Sequence, residues 1–454
     1  MSRLVRSMPL VLALLASAPS LAAQRARPFG TLREQAQRRQ GWLAHRLEQQ
    51  LPALMRRDSI DLWIVPMREY NEDPVFTALV GPTTFAARRR TIYLFHDRGP
   101  RGGVERLALG GGSQGGLYTA LRAEGLGAAG ARVQPAELWG DEQWALLRRL
   151  VDERSPRRIA IDVSRTTAFA DGLSAAERDA LLEALGPQWS RRVVPAERLA
   201  VDLIAVRQPD EAEAFRDMVA FNWTLIDTLF SPTVVVPGTT RPSDMVWWYR
   251  QRVADLGLDT WFQPSITVQR RGASADELGD DPVIQRGDVL HCDVGISAYG
   301  LHTDIQHMAY VLRPGEREVP AGLAAVLARS NRLQDIVLER LRPGRSGNEV
   351  LAAARSQMRL EGIGGTIYSH PIGLHGHGAG PLIGLWDRQE GVPGRGDHVV
   401  LPNTWFSIEL QVAAPVAEWG GQVVRSAQEE DVVLGADGTP RWAYRRQTAF
   451  HVIR

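Results

Sequence analysis

Five potential metal ligands lie between residues 293 and 429 of the 454-residue chain, each in or beside an apolar segment typical of a β-strand. The first two flank the hairpin-like stretch SAYGLH, so adjoining strands can direct both carboxylates into one cleft. A fold for this chain must therefore bring several separate strands together around one group of polar side chains. The five residues are Asp293, Asp304, His370, Glu409 and Glu429.

The chemistry of this set is hard and oxygen-rich, because it combines four carboxylates with one imidazole. Such ligands suit Mn²⁺, Fe²⁺, Co²⁺ or Zn²⁺ better than thiolates would. Two ions about 3.5–4 Å apart can hold and activate a water molecule between them. The sequence therefore predicts two divalent ions, with Mn²⁺ as the first expectation and Co²⁺, Zn²⁺ or Fe²⁺ as alternatives.

The spacing of these residues matches a known pattern. Asp293 begins an Asp-x-Gly motif, and Asp304 follows eleven residues later. His370 begins a His-x-x-Gly-x-x-x-His motif that ends at His377, and the two glutamates follow on strand-like segments. In this order, the motifs resemble the pita-bread metallopeptidase family, which includes methionine aminopeptidase, aminopeptidase P, prolidase and the metal-free creatinase. The resemblance is good over residues 201–454 and looser over residues 30–200.

The resemblance implies a role for each ligand. Asp293 would bind one metal ion, and His370 and Glu409 would bind the other. Asp304 and Glu429 would bridge the two ions. The ligand set is complete, which argues against a metal-free reaction of the creatinase type.

Two catalytic roles are implied by the same resemblance. Glu409 would carry a proton from the attacking water to the leaving nitrogen. His377 would donate a hydrogen bond to the scissile carbonyl or to the charge that develops on it.

Two assignments have neighbouring alternatives. Glu430 adjoins Glu429, and alternation along a strand lets only one of them face the cleft. The nine-residue spacing to Gly438 favours Glu429. His375 competes with His377, and the seven-residue step from His370 favours His377.

Residues outside the ligand set depart from the family pattern. Residues 264–288, where a substrate-contacting histidine is expected, contain no histidine. Thr366 stands where aminopeptidase P and prolidase have a histidine, and Ala427 replaces an arginine, although Arg425 is nearby. The predicted metal site is therefore complete while the residues around it differ.

The function implied by the resemblance is that of a metal-dependent aminopeptidase. It would hydrolyse the amino-terminal bond of short peptides, preferentially Xaa-Pro bonds, with water activated by two metal ions. The alternatives are a prolidase-type dipeptidase, a pita-bread hydrolase or lyase with a non-peptide substrate, and a non-catalytic pita-bread binding protein.

Composition excludes several other classes. The net charge of +1 argues against nucleic acid as a partner. The chain contains no lysine, which excludes Schiff-base enzymes and Walker-type phosphate loops. The single cysteine, Cys292, cannot form an internal disulfide.

The chain divides into three predicted parts. Residues 1–23 have the basic start, apolar run and small residues of a signal peptide, which implies a periplasmic or secreted protein with no membrane association after cleavage. Residues 24–200 alternate strand-like and helix-like segments and resemble the amino-terminal domain of creatinase. Residues 201–454 would form the pita-bread domain. We therefore expect an α+β protein, an α/β amino-terminal domain followed by a pita-bread catalytic domain, and a homodimer.

Overall fold

The computed structural model describes residues 27–122 and 137–454, so the predicted signal peptide, residues 1–23, lies outside the described residues. No helix in these two ranges is both long and apolar enough to cross a membrane. Helices and strands are mixed throughout, which confirms the predicted α+β class.

The amino-terminal part is built around a six-stranded sheet with the strand order β4-β3-β2-β1-β5-β6. The central pair β1–β2 is antiparallel, whereas β5 runs parallel to β1. A π-helical turn, Arg46–Gln50, joins α1 to α2, and a 3₁₀ turn spans Ala168–Ala170. The helices are α1 Leu32–His45, α2 Leu51–Arg57, α3 Phe76–Leu79, α4 Asp141–Arg154, α5 Ala175–Ser190 and α6 Glu197–Ala205. The strands are β1 Leu62–Arg68, β2 Arg90–Asp97, β3 Val104–Leu109, β4 Thr119–Leu121, β5 Ile159–Ile161 and β6 Val193–Pro195.

The carboxyl-terminal part is built around a nine-stranded sheet whose main path is β12-β14-β15-β11-β8-β7. Strands β13, β16 and β17 pair at its sides, and β9–β10 form a separate hairpin. The helices are α7 Pro209–Leu229, α8 Pro242–Asp255, α9 Ala275–Leu278, α10 Ala321–Arg340 and α11 Gly347–Leu360. The strands are β7 Ser265–Gln269, β8 Val289–Val294, β9 Ser297–Ala298, β10 Leu301–His302, β11 Ile305–Val311, β12 Gly365–Ile367, β13 His370–Pro371, β14 Trp405–Val416, β15 Gln422–Leu434, β16 Pro440–Trp442 and β17 His451–Ile453.

Helix α7 begins at Pro209, which is followed by the acidic residues Asp210 and Glu211, a pattern typical of a helix start. Pro209 occupies the first turn, where a missing backbone N–H costs nothing. The Glu211 carboxylate accepts a hydrogen bond from the backbone N–H of Gln208, which satisfies a donor at the helix start.

The same carboxylate also connects the two parts of the chain. Arg46, from the amino-terminal part, donates to Glu211 at 2.7 Å, and both side chains are buried. Arg207 lies 3.3 Å from the same glutamate oxygen. Removing one partner of such a buried ion pair would leave an uncompensated charge, so substitutions here should destabilise the contact between the two parts.

Two cores pack against the largest sheet. Helices α7 and α8 cover one side of β8 and β11 through residues such as Phe215, Tyr249 and Cys292. Helices α10 and α11 pack against alternate residues of β14 and β15, including Ile408 and Val432. The remaining alternate positions of these strands face a cleft that neither helix pair fills.

Candidate metal centre

Strand register places three of the predicted ligands on one face of the large sheet. Glu409 of β14 lies directly opposite Glu429 of β15. Gln306 of β11 lies opposite both Glu429 and Asp293 of β8. Because directly opposed residues point to the same face of a sheet, these side chains converge in the cleft.

The remaining two predicted ligands complete the group. Asp304 immediately precedes β11, and His370 begins β13. The His370 Nε2 atom lies 3.2 Å from Glu429 Oε1 and 3.6 Å from Asp304 Oδ2. Its Nδ1 lies 3.0 Å from the Pro371 carbonyl, which can only accept, so Nδ1 carries the hydrogen. With its hydrogen on Nδ1, the neutral imidazole would direct the Nε2 lone pair toward the carboxylates, as a metal-binding imidazole requires.

The arrangement fits bound cations better than it fits an empty polar cluster. Asp293, Asp304 and Glu429 can each place an oxygen within 4.8 Å of the others, and His370, Glu409 and Glu429 form a second such group. The two groups share Glu429. Asp293 Oδ1 and Asp304 Oδ1 are buried and have no hydrogen-bond partner among the described residues. Unpartnered buried oxygens of this kind are suitable ligands for divalent cations.

Electrostatics leads to the same conclusion. Burial and the charge of Glu429 raise the pKa of Asp293 to about 8. Burial is the largest cause that raises the pKa of Asp304 and of Glu409 well above the usual carboxyl range, and the negative charge of Glu429 is the second. The protein has therefore gathered acids whose charged forms repel one another, and bound cations would stabilise those forms.

Gln306 is a part of this cluster that our sequence interpretation missed. Its Nε2 donates to Glu409 Oε1 at 3.0 Å and to Glu429 Oε2 at 2.6 Å. Its Oε1 lies 2.9 Å from His291 Nε2, which must therefore be the donor. A signal was present in the sequence, because Gln306 follows Asp304 by two positions and strand alternation puts both on one face.

Glu429 and Glu430 face opposite sides of β15. Glu429 accepts from the Ser407 hydroxyl at 2.6 Å and lies in the cluster. Glu430 is fully buried on the other side, where it lies 2.9 Å from His307 Nε2 and accepts from the Gln447 backbone N–H at 2.7 Å. The structure thus brings Glu429, and not the alternative Glu430, to the other predicted ligands.

His377 lies at the edge of the cluster. Its ring centroid is 4.7 Å from that of His370 and 5.1 Å from that of Trp261. The pKa of His377 is lowered to about 4, mainly by burial and secondly by the positive charge of His370. The His377 side chain is therefore neutral at neutral pH. Asp304, His370 and His377 can also place ligand atoms within 4.8 Å of one another.

Glycines on both sides allow Trp261 to support His377. A Cβ atom added at Gly376 would collide with the Trp261 ring, and one added at Gly295 would collide with the Thr303 carbonyl and crowd the same indole. The indole N–H donates to the Thr303 carbonyl at 2.9 Å, which fixes the ring in this gap. His375 instead points toward the amino-terminal part, with its ring 4.9 Å from that of Phe169.

Arg395 is a second residue that we did not predict from the sequence. Its guanidinium donates to the Gly378 carbonyl at 2.7 Å and lies over the Phe169 ring. It has no carboxylate partner within the described ranges, and its Nε is buried without a hydrogen bond there. Its positive charge contributes to the low pKa of the nearby His377. Arg395 begins a short 3₁₀ turn, Arg395–Asp397, in a segment without regular periodicity, so no local pattern indicated its position.

Comparison with known proteins identifies the carboxyl-terminal part. Residues 233–435 match the family model described as metallopeptidase family M24. This match and the fold confirm the resemblance to the pita-bread metallopeptidases. No curated protein matches the chain.

Several solved structures share the whole architecture at low sequence identity. An X-Pro aminopeptidase from Thermotoga maritima is 18% identical, with 88% of this chain and 99% of that one covered and a TM-score of 0.59. An Xaa-Pro dipeptidase from Bacillus anthracis is 16% identical over 90% and 99% of the two chains, with a TM-score of 0.59. The N-terminal domain of the FACT complex subunit SPT16 from chickpea is 13% identical over 91% and 99%, with a TM-score of 0.53. These structural similarities establish that the chain shares the fold of these proteins.

Proposed function

We propose that this protein, whose residues 233–435 match the model of metallopeptidase family M24, is a metal-dependent exopeptidase that removes the first residue of short peptides, preferentially before proline. The observation that carries the proposal is the convergence of four buried or half-buried carboxylates and His370 around one point of the cleft. A non-catalytic binding protein has no need of such a set, whose mutual repulsion destabilises the fold when no cation is present.

The metal ions would be held by Asp293, Asp304, His370, Glu409 and Glu429, with Mn²⁺ as our first candidate. When bound, two divalent cations supply Lewis acidity and lower the pKa of a water molecule enough for it to attack a carbonyl near neutral pH.

The chain's own residues would position the substrate and move the proton. Glu409 would accept the proton of the attacking water at its carboxylate and deliver it to the leaving nitrogen. Gln306 holds one oxygen of Glu409 in place at 3.0 Å, which limits rotation of the carboxylate. His377, neutral and supported by Trp261, would donate a hydrogen bond to the carbonyl oxygen as negative charge develops on it.

The proposal is tested with metal-loaded and chelator-treated protein. We expect Mn²⁺-loaded protein to cleave Gly-Pro, Ala-Pro and Arg-Pro-Pro faster than matched Ala-Ala peptides. Exhaustive chelation should abolish cleavage, and Mn²⁺ or Co²⁺ should restore it. Equal rates on both peptide sets would remove proline selectivity. Absence of turnover with all of them would favour a non-peptide substrate or a binding protein.

A second candidate, a dipeptidase of the prolidase type, is favoured by Arg395. A half-buried guanidinium without an acidic partner is a suitable receptor for a carboxylate, because charge-assisted hydrogen bonds then compensate its desolvation. Arg395 lies beside His377, so the group that it receives would be near the scissile bond. The free carboxylate of a dipeptide fits that description, whereas a longer peptide carries its carboxylate farther away.

The two candidates predict different results for Arg395→Met. If Arg395 binds the substrate carboxylate, the variant should raise the KM for Ala-Pro by about 10- to 100-fold, the equivalent of one charge-assisted interaction. The KM for Ala-Pro amide should change little, because that peptide has no carboxylate. Arg388→Met removes an exposed arginine of the same loop and serves as the control. Equal losses on the acid and the amide would favour the aminopeptidase.

A further inference from the structure

A cavity of about 370 Å³ opens directly beside the carboxylate cluster. Glu409 and Gln306 form its inner end, and Tyr368 and Trp386 line it from the loop side. Trp386 is 73% exposed, which is unusual for so large an apolar side chain and places it at the rim. The cavity has room for one amino-acid side chain, and it communicates with the proposed reaction centre.

The far wall of this cavity is built by the segment that lacks the expected histidine. Gln269, at the end of β7, exchanges two hydrogen bonds with the backbone of Arg425 on β15, at 2.8 and 2.9 Å. The Gln422 side chain accepts from the Gly272 N–H at 2.7 Å and donates to the carbonyls of Arg270 and Ala273. These bonds join β7 to β15, although β11 and β8 lie between them in the sheet. The cavity is therefore closed at this end by a specific set of contacts.

The charges in the cavity are few. Among its lining residues, Glu409 is the acid and Arg425 is the strong base. His291 also lines the cavity, but burial lowers its pKa and its Nε2–H donates to Gln306, so it is neutral. The Arg425 guanidinium has no ion pair or hydrogen bond with any residue in the described ranges 27–122 and 137–454.

Register explains why Arg425 can reach this space. Arg425 and Ala427 lie on the same face of β15 as Glu429, because alternate residues share a face. Ala427, opposite Gln411, has a side chain too small to fill the cleft. The space left by Ala427 is thus open to a substrate group, and the cation beside it comes from Arg425.

We propose that this cavity is the subsite for the side chain of the first substrate residue, and that Arg425 makes it selective for an acidic side chain such as that of glutamate or aspartate. The inference rests on the proposed exopeptidase function and specifies its substrate class. The residues lining the cavity do not include His377 or Arg395. The guanidinium groups of Arg395 and Arg425 would therefore bind different parts of the substrate. Cations bound at the cluster would offset the negative charge of Glu409 and remove its repulsion for an acidic group.

The test compares Glu-Pro with Gln-Pro, which have nearly the same shape and differ in charge. With Mn²⁺-loaded protein, we expect kcat/KM to be about tenfold higher for Glu-Pro, mainly through KM, and the ratio to fall as salt is added. Arg425→Met should bring the ratio near one, and Arg425→Lys should retain part of it. Arg271→Met is the control, because Arg271 lies in the turn after β7 but does not line the cavity. It should leave the ratio of kcat/KM for Glu-Pro to that for Gln-Pro unchanged.

The outcomes separate this inference from the proposed function. Cleavage of Ala-Pro with equal rates for Glu-Pro and Gln-Pro would overturn the subsite and leave the exopeptidase standing. A loss in Arg425→Met that is larger for Ala-Pro than for Ala-Pro amide would show that Arg425 binds the terminal carboxylate, which also overturns it. If no peptide is cleaved, calorimetry with L-glutamate and L-glutamine decides. Tighter glutamate binding that disappears in Arg425→Met supports the subsite, and equal affinities contradict it.

Discussion

Asp304→Asn is expected to weaken metal binding and to lower kcat/KM by about 10³-fold or more, because the ions account for several kcal/mol of transition-state stabilisation. The same variant should make the metal-free protein more stable. Asp304 is 4% exposed, one of its oxygens lacks a partner among the described residues, and the charges of Glu429 and Asp293 oppose its ionisation. Asparagine has nearly the same shape and no charge, so it removes that repulsion.

Two measurements should therefore move in opposite directions. Metal content by mass spectrometry should fall below two ions per chain, while the melting temperature in chelator should rise by a few degrees, since 1 kcal/mol corresponds to about 2–4 °C in domains of this size. Glu430→Gln is the matched control, because Glu430 is equally buried but faces away from the cluster. A metal-free Asp304→Asn protein that melts below the wild type would contradict the electrostatic argument. Full metal content in that variant would contradict the ligand assignment.

The sequence predicted those features that depend on local pattern. Helix α7 starts at Pro209, as its proline and acidic residues indicate, and the strand-like run WFSIELQV lies within β14. The spacing of the ligands placed them on separate strands, and the structure brings all of them to one face of the sheet.

Features that depend on tertiary contacts were less visible. Strand β15 begins at Gln422, nine residues before the apolar run DVVL that predicts it. Its first half is polar and carries no strand-like pattern, yet Gln428 is fully buried because Asn331 and Ser330 of α10 donate to its side chain. Such partners come from distant parts of the chain, so local periodicity cannot reveal them.

The residues around the carboxylate cluster also divide into those that a local sequence pattern predicts and those that depend on tertiary contacts. Gln306 follows from strand alternation, whereas Arg395 and Arg425 take their positions from a 3₁₀ turn and from the polar first half of β15. The missing histidine in residues 264–288 and the replacement by Ala427 were visible in the sequence. That the histidine-free segment closes a cavity onto Arg425 required the hydrogen bonds between β7 and β15.

His377→Ala is expected to lower kcat by about 10²–10³-fold while metal content stays at the wild-type level, as for the loss of one donor to a developing oxyanion. The structure makes this a sharp test, because His377 lies near enough to Asp304 and His370 to be a ligand instead. Three observations favour the donor role. Four carboxylates and His370 already form two groups that could each hold an ion, the His377 side chain is exposed at the edge of the cluster, and Trp261 holds its ring from the side.

The control is His375→Ala, which removes the neighbouring imidazole that contacts Phe169, and we expect it to change kcat far less than His377→Ala does. A neutral donor of pKa about 4 should also leave kcat independent of pH above about pH 5 as far as His377 is concerned. If His377→Ala instead loses one ion, and added Mn²⁺ restores its rate, then His377 is a metal ligand and the carbonyl must receive its hydrogen bond from another group. An unchanged kcat with full metal content would mean that His377 has neither role, because a donor to the transition state cannot be removed without a loss of rate.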